Sequence, residues 1–155
     1  MSNKIENIFK TLVDEKIISI ENIHGCTQKE ISIIEDEFST TLPSEYRDFL
    51  SIAGKGAGKL FQGTVMYYPD ILGLRQDAED LLAEKNISHL LPKDACVFRM
   101  HQGYEFTFFL PQKNDPEVFQ YIEGNDFIDN PWKSFSEFIE HSIDQHIKVW
   151  PNLNN

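Results

Sequence analysis

The run Gly54, Lys55, Gly56, Ala57, Gly58, Lys59 comes nearest to a phosphate-binding loop, in which backbone N–H groups cradle the anion ahead of a helix. Its details exclude that chemistry. Three residues rather than four separate Gly54 from Gly58, Leu60 stands where a Ser or Thr would hold magnesium, and the pattern before Gly54 is helical. A helix C-cap and a flexible turn account for the segment. His141 and His146 are five positions apart, whereas two zinc ligands on one helix share a face when four apart. Glu140 beside His141 therefore makes no zinc-protease motif, and all three residues are expected on a solvated helix face. Cys26 follows His24 closely, but no nucleophile signature surrounds them, so Cys26 reads as packing. The carboxylates Glu35, Asp36 and Glu37, or Asp126 and Asp129, are the residue types of acid–base catalysis. In a chain with 25 Asp and Glu they read as charged surface. No catalytic, metal or cofactor site is expected, and binding is favoured over catalysis.

The elements that carry these residues follow from apolar spacing. Ile5, Ile8, Phe9, Leu12 and Val13 share a helical face, with Asn3 as a candidate N-cap. After a short apolar stretch, Ile17 to Ile23, Thr27 and Glu30 have capping-box spacing before Ile31, Ile34 and Phe38. Pro43 and Ser44 open a third helix that turns Tyr46, Phe49, Leu50 and Ala53 inward and ends at Gly54. Leu60 and Phe61 are the first apolar pair after the glycine-rich loop.

From there the period changes. Thr64 to Tyr68 suits a strand, Ile71 to Leu74 a turn, and Asp77 to Lys85 a polar helix with Leu81 and Leu82. Ala95 to His101 and Tyr104 to Leu110 read as strands joined tightly through Gln102 and Gly103, with Phe106 and Phe108 on one face. Pro111 to Pro116 is a turn cluster, and Val118 to Glu123 is a further strand ending at Gly124. Trp132 is expected as a lid over the last helix, which Ser134 and Glu137 open with capping-box spacing ahead of Phe135, Phe138, Ile139, Ser142, Ile143 and Ile147. Helices, then strands, then a helix give an α+β fold with an antiparallel sheet covered on one face by helices. At 155 residues, one domain spanning 1–155 is expected.

Fourteen Lys and Arg against 25 Asp and Glu give a formal charge of −11. That field opposes nucleic acid and anionic membranes and favours a basic partner. Charging the five His would not reverse the sign. Two cysteines are too few for a disulfide framework. The start Met1, Ser2, Asn3, Lys4, Ile5, Glu6 carries no apolar signal segment, and no run suits a membrane span. A cytoplasmic protein with reduced thiols is expected.

Ile31, Ile34, Glu35, Glu37, Leu42, Pro43, Ser44, Glu45, Tyr46, Arg47, Asp48, Phe49 and Leu50 form an acidic helix, Leu-Pro, two residues, Tyr, two residues and Phe-Leu. This segment resembles the N-terminal signature of the SUKH superfamily, in its cell-wall-assembly-regulator branch. His101 to Phe106 and Ser134 to Ile139 are similar to later family segments, and the likeness covers roughly 23–143. Where the family often has an Asn-Gly-Gly turn, this chain has Ala53, Gly54 and Lys55. The resemblance implies structural roles for Leu42, Pro43, Tyr46, Phe49 and Leu50. It also implies an immunity protein that neutralises a toxin, often a nuclease, of a polymorphic or contact-dependent system. Regulation or scaffolding of cell-wall synthesis, as in fungal relatives, is the alternative it carries. In the immunity reading Glu117, Glu123, Asp126 and Asp129, with the aromatic Tyr121, face the toxin. The oligomeric state is left open.

Overall fold

The computed structural model describes residues 3–155, so Met1 and Ser2 of the charged start lie outside the described residues. Helix α1 (Lys4–Asp14) buries Ile5, Phe9 and Leu12 along one stripe. Asn3 precedes it, but its side chain makes no capping bond; only its carbonyl is used, accepting from Asn7 N–H at 2.9 Å. Helix α2 (Gln28–Phe38) starts on a complete capping box. Thr27 Oγ1 accepts from Glu30 N–H at 3.2 Å, and Glu30 Oε1 accepts from Thr27 N–H at 2.8 Å. Thr27→Ala is expected to lower stability by about 1 kcal/mol. The check is a lower urea midpoint at unchanged slope. An unchanged midpoint would mean that Glu30, also paired with Lys55 at 3.2 Å, fixes the helix start without the hydroxyl.

Helix α2 ends at Phe38 with Ser39 in the left-handed conformation, and helix α3 (Ser44–Ala53) begins after Pro43, which occupies the N-cap position. Tyr46, Phe49, Leu50 and Ala53 are wholly buried. Glu35 at the end of α2 accepts from Leu42 N–H at 3.2 Å and pairs with Arg47, so one carboxylate clasps the α2–α3 junction. Glu45 is buried as well, and its Oε2 has no hydrogen-bond partner. Its place in the first turn puts the carboxyl group at the positive end of α3.

The strands are β1 (Ile23–His24), β2 (Gly56–Ala57), β3 (Thr64–Val65), β4 (Cys96–His101), β5 (Glu105–Phe109), β6 (Val118–Ile122) and β7 (Asp129–Trp132). β1, ahead of α2, and β2, in the glycine-rich loop, form a small antiparallel ribbon, and β3 to β7 form a five-stranded antiparallel sheet in chain order. Helix α4 (Leu74–Glu84) packs on β4, and α5 (Phe135–Val149) closes the fold against α1, α3 and β7. The architecture is the α+β arrangement expected, with the core built around Tyr46. Its ring centroid lies 5.1 Å from Phe109 and 5.4 Å from Phe135, joining sheet to helices.

Several local expectations are corrected. The Thr64 to Tyr68 strand shrinks to Thr64–Val65. Beyond it Tyr68 N–H leaves the sheet to donate to Gly54 O at 2.8 Å. Helix α4 starts at Leu74, three residues before Asp77, because Leu74 and Ala78 add to the buried stripe. The β4–β5 loop has three residues, since His101 pairs with Glu105 and Tyr104 belongs to the turn. β7 had no counterpart in the periodicity; it carries Pro131 and lies at the sheet edge, where a missing N–H is tolerated. The second sheet face is covered too. Phe106 and Phe108 alternate with Thr107 and Phe109, yet all four are buried. On the far side Phe108 and Phe119 line a small pocket together with Leu90 and Pro92.

At the last helix, Ser134 Oγ accepts from Glu137 N–H at 3.1 Å, but Glu137 returns its bond to Lys133 N–H, so the box is shifted by one residue. Trp132 is the expected lid, edge-on to Phe138 at 4.9 Å. Among the described residues no helix is long and apolar enough to cross a membrane.

Candidate functional site

The residues with chemical potential are taken up by structure. Cys26 is buried, and burial pushes its thiol up from 9.0 to about 11. Cys96, also buried, is pushed up to about 12 by the same cause. A thiol whose value rises on folding stabilises the fold below its ordinary value and loses that contribution as pH climbs toward the folded value. Both thiols are therefore expected to resist a disulfide-exchange reagent at pH 8 in the folded protein and to react when it is unfolded. Stability should fall between about pH 9 and pH 11 for Cys26. Rapid modification of folded protein would show that a thiol is accessible.

His141 and His146 diverge as the spacing requires, but His146 is not on a solvated face. Its Nε2 accepts from Phe61 N–H at 3.0 Å while Nδ1 meets the Ser142 carbonyl at 2.7 Å. Only the neutral tautomer protonated at Nδ1 satisfies both. His141 instead accepts from Trp132 Nε1 at 3.2 Å. No group of three metal-ligating residues is found among the described residues.

The residues expected at a partner surface separate. Tyr121 is fully buried and corrects that expectation: its register opposite Phe106 turns the ring inward, 5.4 Å from Phe106. Glu117 precedes β6 while Glu123 follows it, about 20 Å away at strand rise. Glu117 is also engaged, accepting from Asn130 Nδ2 at 2.7 Å and lying 3.7 Å from Lys113. Glu123, Asp126 and Asp129 remain exposed around the β6–β7 turn. Among the described residues none of the three meets a cation within ion-pair distance.

Phe127, which periodicity did not single out, sits between these acids and is 49% exposed. The adjacent β4–β5 turn presents Tyr104, 40% exposed, and the two turns are joined where Glu123 N–H donates to Tyr104 O at 2.8 Å. Inside this edge Arg99 is neutralised by Glu105 at 2.9 Å. His101 meets Thr64 Oγ1 at 2.8 Å and lies edge-on to Tyr104 at 5.6 Å, tying the turn to β3. One end of the sheet therefore presents two exposed aromatic rings beside unpaired carboxylates. Such a surface offers rigid apolar anchors and a negative field, which suits a basic protein face.

The sequence profile of the SMI1/KNR4 family (SUKH-1) matches residues 25–141. The chain belongs to this family. No curated protein matches it. The SUKH-1 match runs from the turn before α2 into α5 and includes the whole five-stranded sheet. Within it Leu42, Tyr46, Phe49 and Leu50 are at most 4% exposed, and Pro43 caps α3. These SUKH-1 motif residues build the scaffold. The exposed tip lies within the same matched segment but outside the motif, and α1 lies outside the match altogether.

Proposed function

We propose that this SUKH-1 domain is a non-catalytic immunity protein that binds and neutralises a basic toxin domain, a nuclease in particular, of a polymorphic or contact-dependent toxin system. The observation that carries the reading is the sheet tip, where Phe127 stands exposed between Glu123, Asp126 and Asp129. A nuclease cleft is positive because it holds phosphates, and an acidic partner can occupy it with electrostatically steered association. The chain's charge of −11 extends that field beyond the tip. Phe127 supplies an anchor that gains when desolvated, and carboxylates around it select a basic rim. The protein works in the compartment where the toxin would act, which for a nuclease is the cytoplasm. Immunity requires only tight occupancy, and the structural engagement of Glu35 and His146 and the burial of Cys26 support binding without chemistry.

The test is co-expression of the toxin domain encoded beside this gene with and without the protein. Survival in its presence is expected, and unchanged killing would sink the proposal. A solitary gene would instead favour the other role associated with the family, a protein-binding regulator of cell-wall synthesis.

A further inference from the structure

A groove of about 440 Å³ lies between α1 and α5, on helices whose contact surface the sheet tip does not share. Apart from Glu140, the residues lining it fall outside the SUKH-1 match. Its floor is apolar. Ile8 and Leu12 line it from α1, Ile143 and Ile147 from α5, each pair one helical turn apart. Leu12 and Ile143 are nearly closed off, whereas Ile8 and Ile147 are half-buried and keep apolar surface toward the groove.

The rim is acidic. Glu140 and Asp144 line one side, again one turn apart, and Glu15 borders the groove at the end of α1. Among the described residues none of the three lies within ion-pair distance of a cation. Like charges four apart repel on a helix, and a cation held between them removes that repulsion. Lys4, which also lines the groove, is held by Asp115 at 3.2 Å.

We propose that the groove is a docking site for a basic amphipathic helix of a partner protein. The apolar floor accepts side chains spaced i and i+4 on such a helix, and its flanking Arg or Lys meet Glu15, Glu140 and Asp144. Floor and rim extend over about two turns of α5, matching roughly two turns of the incoming helix. A second copy of this chain does not fit, because a symmetric contact would set the same carboxylates against each other on two molecules of charge −11. An anionic membrane meets the same repulsion. The inference is independent of the toxin reading, since neither the tip residues nor a toxin enters it.

The test uses the full chain labelled with 15N and two synthetic sixteen-residue helical peptides with identical Leu positions, one flanked by Arg and one by Glu. The Arg peptide is expected to shift backbone resonances along α1 and α5 and leave the β6–β7 turn unmoved, and the Glu peptide to shift neither. Glu15→Gln, Glu140→Gln and Asp144→Asn together should weaken the Arg peptide about tenfold or more, and raising salt should weaken it for the native chain. These exposed isosteric changes leave the core intact, which an unchanged melting temperature verifies. Absence of shifts at the groove with millimolar Arg peptide, equal binding of both peptides, or undiminished binding by the triple variant would each overturn the proposal.

Discussion

Tyr46→Ala is expected to cost about 3–5 kcal/mol, enough to unfold most of a domain of ordinary stability, whereas Tyr46→Phe should raise stability by up to about 1 kcal/mol. The opposite signs follow from two properties of one side chain. Tyr46 is wholly buried, with Phe38, Phe49, Phe98, Phe109 and Phe135 around it at centroid distances from 5.1 to 6.5 Å. Truncation removes the ring through which α3, β4, β5 and α5 touch, and those walls belong to separate elements that cannot all collapse inward. The hydroxyl adds no hydrogen bond to that packing: Tyr46 Oη has no partner, and burial pushes its proton affinity well above the ordinary phenol value. Replacing an unpaired buried hydroxyl by hydrogen removes a desolvation cost and keeps the ring. Urea denaturation of the three proteins measures both effects. A Phe variant less stable than the native chain would show that the hydroxyl is bonded in solution.

A loss of about 2–5 kcal/mol is expected for Leu153→Ala, and Gly58→Ala should be comparably damaging although it adds only a methyl group. The C-terminal residues strap two distant segments together. Leu153 is fully buried, its N–H donates to Ile17 O at 2.8 Å, and its carbonyl accepts from Lys59 N–H at 2.8 Å. Asn154 Oδ1 adds bonds from Ser19 N–H at 2.7 Å and Asn22 Nδ2 at 2.8 Å. Gly58 lets the strap approach. Its φ is +57°, and a Cβ there would stand 1.9 Å from Leu153 O, so alanine meets both left-handed strain and a backbone collision. Because both changes disrupt one contact, their effects should combine to less than their sum. Amide exchange at Lys59 and Leu153 should accelerate in either variant. Full protection of those amides in Gly58→Ala would show that the strap does not depend on this approach.

What the sequence disclosed depended on how local the signal was. Thr27 with Glu30, and Leu42-Pro43 ahead of Tyr46 and Phe49, act through neighbours within a turn or two, so helices α2 and α3 were legible residue by residue. β7 was not, because Asp129, Asn130 and Pro131 have little strand preference and the element exists through pairing with β6. The same dependence on pairing misplaced the anchor of the candidate surface. Tyr121 and Phe119 lie on the sheet face that carries Phe106 and Phe108, a fact of sheet register, while Phe127 escapes burial in the turn. The acids of that turn were legible because exposure is the default for carboxylates, and Glu117 failed through its place at the other end of a strand and its pairing with Asn130 and Lys113. His146 shows the reverse error: a polar residue on a helix was assigned to solvent, although its ring completes the backbone of Phe61.

In the immunity reading the acidic sheet tip with Phe127 is the surface that captures a basic toxin domain. The decisive experiment is calorimetric titration of that domain with the native protein and with Asp126→Lys combined with Phe127→Ala. Both changed residues are exposed, so an unchanged circular dichroism spectrum and melting temperature should accompany the double variant. One-to-one binding by the native chain and at least about a hundredfold weaker binding by the variant are expected, the combined scale of a lost anchor and a reversed charge. Binding by the variant at native affinity would contradict that reading.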